Sequence, residues 1–168
     1  FAEGVARMAD ARGLTEARCY EKLAREYDGY RFSAEAAEGV YNPFSLLWAL
    51  QYKIFGSQWF ATGTPSYLVQ VMQESGYWVD DLTDQAVTLQ DLGDIRDPYQ
   101  NPQALFYQAG YLTLGEPGDV PDTYFLRFPN GEVQKGFRQF LKECYLPGVF
   151  GSSTYNAAAF HRLLAAGD

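Results

Sequence analysis

Asp80-Asp81 and the series Asp91, Asp94 and Asp97 come nearest, by type and spacing, to a cation-binding set. A calcium loop alternates its oxygen ligands about a central Gly and closes on a distal Glu. That order is missing here, so a solvated acidic loop is the expectation. His161 is the single histidine, which excludes a histidine-based triad or multi-histidine metal site built from this chain alone. Glu132 and Lys135 fall in a helical pattern and do not match the strand-borne Asp…Glu-x-Lys of a nuclease. No G-x-x-x-x-G-K-[ST] or G-x-G-x-x-G loop is present to cradle a phosphate. Cys19 and Cys144 form no Cys-x-x-Cys pair, and each sits on the apolar face of an expected helix, as buried free thiols in a reducing cytoplasm would. No residue set composes a catalytic centre or a metal site.

The elements that must position these residues are mostly helices. Thr15 is a plausible N-cap for residues 15–27, where Tyr20, Leu23, Ala24 and Tyr27 recur at helical spacing, and Gly29 is expected to end that helix in a left-handed conformation. Residues 31–39 read as a short exposed connection. Asn42-Pro43, Thr64-Pro65 and Asn101-Pro102 each place a capping side chain before a proline that needs no amide donor, so helices are expected behind all three. Residues 44–54 are apolar nearly all round and are expected to be buried centrally. In residues 66–75, Tyr67, Leu68, Val71 and Met72 share one face, and Gly76 ends the run. A short helix is expected near 89–92 and another at 103–109, ended by Gly110. Strands at 111–114 and 124–128 flank a Gly, Pro and Asp-rich turn, and Val133, Phe137, Phe140, Leu141 and Cys144 mark a closing helix. Helices, a hairpin wing and a closing helix describe a winged helix-turn-helix. The expected class is mainly α with a small β-hairpin: a helical lid over 1–63, a winged-helix-like domain over 64–145, and a linker with the start of a further domain over 146–168.

The charge pattern is consistent with that division. Residues 1–63 carry seven basic and eight acidic side chains, whereas residues 64–145 carry five and twelve, within a net charge of −8. Such a balance argues against non-specific nucleic-acid binding, which depends on neutralising phosphates. Thirteen Tyr and twelve Phe supply large packing groups whose hydroxyls can reach water or backbone at a core edge. No apolar stretch reaches the roughly 20 residues of a membrane span, and no signal peptide is visible. The chain opens on Phe1 inside a helical pattern, as an internal fragment would.

Five ordered words carry a resemblance: Tyr27-Asp28-Gly29-Tyr30-x-Phe32, Val40-Tyr41-Asn42-Pro43-x-Ser45, Trp59 with Thr62-Gly63-Thr64-Pro65-Ser66-Tyr67-Leu68, Gly110-Tyr111-Leu112-Thr113, and Phe128-Pro129-Asn130-x-Glu132-Val133. Together they resemble the bacterial AAA-ATPase-like proteins that carry a PD-(D/E)XK nuclease-type domain at their C-terminus. The resemblance implies a cytoplasmic protein in which this segment lies between the ATPase core and the nuclease-like domain. It also implies ATP and Mg in the parent protein, and none in this fragment. Gly63 and Pro65 then look like the glycine-x-proline element placed against the adenine at a helix start. Tyr27, Asp28, Tyr30 and Asn42 become candidates for contacts with the neighbouring domains. Asp28 also reads simply as a helix-ending turn whose carboxylate accepts local amides.

The function so implied is a non-catalytic lid and winged helix coupling nucleotide state to the downstream domain, by rigid-body movement about Gly63 and Pro147-Gly148. Two alternatives stand beside it. A winged helix could bind DNA directly, but residues 103–108 hold no Lys or Arg and the wing carries Glu116, Asp119 and Asp122. A stand-alone protein-interaction or glycan-binding module is the other.

Overall fold

A computed structural model describes residues 1–36, 38–57, 66–78 and 81–145, and only the backbone of residues 140 and 143–145. Thr64-Pro65, Gly63, Pro147-Gly148, His161 and the expected helix near 153–165 lie outside the described residues. The order is α1 (Ala2–Arg12), α2 (Glu16–Tyr27), α3 (Pro43–Tyr52), α4 (Ser66–Ser75), α5 (Asp81–Asp84), β1 (Val87–Thr88), α6 (Leu89–Gly93), α7 (Pro102–Gln108), β2 (Thr113–Pro117), β3 (Thr123–Arg127) and α8 (Gly131–Tyr145). The chain is therefore mainly helical, with one small antiparallel sheet.

Capping explains most helix starts. Thr15 accepts from Arg18 N, Asn42 from Phe44 N and Ser45 N, and Asn101 from Ala104 N, with proline at the first position of α3 and α7. Thr88 and Asp91 form a reciprocal capping box at α6, and Asn130 Oδ1 accepts from Val133 N at the head of α8. Gly76 and Gly110 follow α4 and α7 with φ of 74° and 78°, as expected of helix-ending glycines. The end of α2 differs from expectation: its C-cap is Asp28 in an extended conformation, and Gly29 lies one residue beyond.

The sheet has three strands in the order β1-β3-β2, where two were expected. Val87 pairs with Tyr124, Thr113 with Arg127 and Leu114 with Leu126. Tyr111 and Leu112 precede β2: their amides bond back to Phe106 O and close α7, so the strand starts two residues later than predicted.

Two hydrophobic cores result. The first gathers Val5, Met8, Cys19, Leu23, Tyr27 and Ala49 from α1, α2 and α3. The second gathers Leu68, Met72, Leu92, Phe106, Leu114, Leu126, Val133 and Phe137, with Tyr30 reaching in from the N-terminal part. Phe106, Tyr111 and Phe137 meet edge-on in a triangle, with centroids 5.4–5.9 Å apart. Cys19 is a buried free thiol whose pKa burial raises.

One expectation is overturned. α3 is not central: only Ser45 and Ala49 of its residues are buried, whereas Phe44, Leu47 and Tyr52 are 51%, 66% and 59% exposed. An all-round apolar helix needs partners on every side to be buried, and among the described elements α3 packs chiefly on α1 and α2. On α4, Val69 is buried and Tyr67 exposed, against the predicted face.

Candidate functional site: the junction between the two cores

Five consecutive residues, 27–31, carry the chain from one core to the other. Tyr27, the last residue of α2, is fully buried, and its hydroxyl donates to Gly56 O at 3.1 Å and accepts from Gly56 N at 3.0 Å. Burial raises its pKa, an effect the Gly56 bond opposes. The Tyr27 carbonyl accepts from Asn42 N at 2.9 Å, tying the end of α2 to the start of α3. Asp28 Oδ1 accepts from Gly29 N at 2.7 Å, the local-turn role of the two weighed for it.

Gly29 then passes through a gap that admits no side chain. Its φ is 121°, and a Cβ built there would lie 2.0 Å from Pro129 O. Gly39 is packed tightly too: a Cβ on it would lie 2.6 Å from Gly29 Cα. Tyr30 and Val40 form a two-way backbone bridge at 3.2 and 2.8 Å, closing residues 31–39 into a loop. Tyr30 enters the second core, where burial, and secondly the charge of Glu132, push its pKa up to about 12; a hydrogen bond with the Asn42 side chain acts in the opposite sense.

Arg31 corrects the expectation of a wholly exposed connection. Its amide donates to Thr113 Oγ1 at 2.6 Å, and that hydroxyl donates back to Arg31 O at 2.8 Å. Its guanidinium donates to Gly115 O and Ala36 O. Arg127 Nη2 adds a bond to Gly29 O at 3.2 Å. A second strap lies on α2 and α8: Lys135 Nζ donates to both oxygens of Glu26 at 2.7 and 2.6 Å. The Glu26 side chain is only 11% exposed and is also paired with Arg25. Removing a partner from a buried charge costs more than forming the pair contributes. A cleft of about 230 Å³ opens beside this strap, lined by Lys22, Arg25, Glu26, Phe55, Gly56 and Lys135.

The structure thus brings Tyr27, Asp28, Tyr30 and Asn42 together, at the junction between the two cores. Gly63 and Pro65 lie outside the described residues. Glu26, Arg31, Gly39, Thr113 and Lys135 were not singled out by sequence reasoning as a junction. Nor was the burial of Glu132, which sits at the head of α8 at 1% exposure. The acidic residues of the 91–97 stretch are occupied locally. Asp91 belongs to the α6 cap, Asp97 accepts from the amides of Tyr99 and Gln100, and the Arg96 guanidinium lowers the pKa of Asp94 to about 2. Among the described residues no group of three or more His, Cys, Asp or Glu side chains could hold a metal ion, and no helix is long and apolar enough to cross a membrane.

No family model matches the chain, and no solved structure matches it. It is 38% identical over 134 residues to a protein of Azotobacter chroococcum mcd 1 described as "Uncharacterized protein in vnfD 5'region". The match takes in 76% of this chain and 24% of that protein, so the chain spans about a quarter of the length of this relative.

Proposed function

We propose that this chain is the non-catalytic lid and winged-helix segment of a AAA-ATPase-like protein, relaying nucleotide state to a downstream PD-(D/E)XK nuclease-type domain. The observation that carries the reading is the junction. A relay needs two packed bodies that move together, and residues 26–31 bind the helical unit to the sheet unit through Gly29, the Arg31–Thr113 exchange and the Glu26–Lys135 pair. The order α4-α5-β1-α6-α7-β2-β3, with β1 on the free side of β3, supports the winged-helix assignment. The uncovered apolar face of α3 supports a docking role towards a neighbouring domain.

On this reading Gly63 and Pro65 contact the adenine of an ATP bound with Mg upstream, in a cytoplasmic protein. α7 serves as a packing element and not as a DNA reader. Its two glutamine amides are turned to the backbone, Gln103 to Gln85 O and Gln108 to Leu92 O, and so are unavailable for base edges. The test is the chain expressed with its upstream domain. Pro65→Ala is expected to weaken nucleotide binding, and unchanged affinity and hydrolysis would remove the adenine contact.

A further inference from the structure

A cavity of about 420 Å³ opens where β3 hands over to α8, well away from the Glu26–Lys135 cleft in its lining residues. Asn130, Gln134 and Arg138 line it from successive turns of one face of α8. Arg127, Phe128 and Pro129 line it from the strand end. The volume is within the range of small-molecule sites.

Donors predominate among its polar groups. Asn130 is 8% exposed and its Oδ1 is committed to the α8 cap, while its buried Nδ2 finds no acceptor among the described residues. An orphaned buried donor is costly, and native structures seldom keep one without a use. Arg138 makes no hydrogen bond or ion pair among the described residues, and Arg127 uses one nitrogen on Gly29 O. Two of the five basic side chains of residues 64–145, in a region with twelve acids, thus face one cavity. The rim also holds Thr83, whose hydroxyl donates to Asp84.

The geometry points to a binding site for a small organic anion, one carboxylate or phosphate group on an apolar body. Arg138 and the remaining nitrogens of Arg127 hold the charged group over the buried Asn130 amide, and the apolar part lies on Phe128 and Pro129. The site sits at the foot of the Gly29–Pro129 contact, so an occupant there bears directly on the junction. The inference does not depend on the ATPase reading.

The experiment titrates the full chain with benzoate and with inorganic phosphate, in a background of constant chloride, by calorimetry and amide chemical shifts. Saturable binding of one or both is expected, with shifts at Asn130, Gln134 and Arg138. Arg138→Gln is expected to weaken it roughly tenfold, the loss of one charge-assisted bond. Asn130→Asp keeps the helix cap and replaces the donor with a like charge, so it is expected to abolish binding while the protein stays folded. Absence of saturable binding by the folded protein, or equal affinity in both variants, would overturn the proposal. So would a duplex DNA that binds through Arg138 while neither small anion does.

Discussion

Gly29→Ala is the most severe single methyl the junction can receive. The new Cβ would start 2.0 Å from Pro129 O, whereas ordinary contact begins at 3.4 Å, so the carbonyl or residue 29 must retreat by about 1.4 Å. Pro129 is anchored between β3 and α8, and Gly39 packs so near that a Cβ on it would lie 2.6 Å from Gly29 Cα, which leaves residue 29 little room to shift. Overpacking of this kind costs about 1–3 kcal/mol. A φ of 121° imposes on alanine a further strain of about 1–3 kcal/mol. The sum is on the order of 2–6 kcal/mol, or roughly 4–24 °C in Tm for a chain of this size. Gly13→Ala is the control. Its φ is 61°, but nothing lies within 4 Å of the added carbon, so it carries only the left-handed strain of about 1–2 kcal/mol. Urea unfolding of both variants by circular dichroism measures the difference, expected to be about 1–3 kcal/mol, the overpacking cost that only Gly29 carries. Equal losses for the two glycines would refute the close approach at Pro129 and the junction built on it.

Three further outcomes are expected. Lys135→Met strips one partner from the nearly buried Glu26 and should cost about 1–2 kcal/mol, Arg25 and solvent limiting the damage; a double-mutant cycle with Glu26→Gln in urea melts should show coupling. Tyr30 and Tyr111 both have pKa values pushed up to about 12 by burial, from 10.0, so the folded state holds their protons longer than the unfolded state; stability is intact below pH 10 and should fall as pH rises towards 12, with their ultraviolet titration lagging behind that of exposed tyrosines. Leu47→Ser removes an exposed side chain and should change the stability of the chain by less than about 0.5 kcal/mol, yet weaken association with the upstream domain in a pull-down of separately expressed parts.

The features legible in the sequence were those written within a few residues. Thr15, Asn42 and Asn101 announce their helices because a cap and the amides it serves lie within four positions. Gly110 and the hairpin behind it were readable for the same reason. β1 was not, since two residues cannot display an alternation, and it exists only through its pairing with β3. α3 misled because an apolar face states what would gain from burial, not whether a neighbour is present to bury it. The junction was least legible. Tyr27, Asp28, Tyr30 and Asn42 stand out as local words, but the bonds that join the two cores beside them are remote: Arg31 and Thr113 are 82 positions apart, Glu26 and Lys135 109. Gly29 was read as a helix stop, when its function is set by a proline carbonyl a hundred residues downstream.

Hydrogen exchange on the chain joined to the proposed upstream ATPase domain, with and without ATP and Mg, tests the relay most directly. The account predicts that nucleotide alters protection in the second core, at amides such as those of Leu114 and Phe137, and that Lys135→Met reduces this response while nucleotide still binds. A change confined to the helices before Gly29, or none at all in the presence of bound nucleotide, would contradict it.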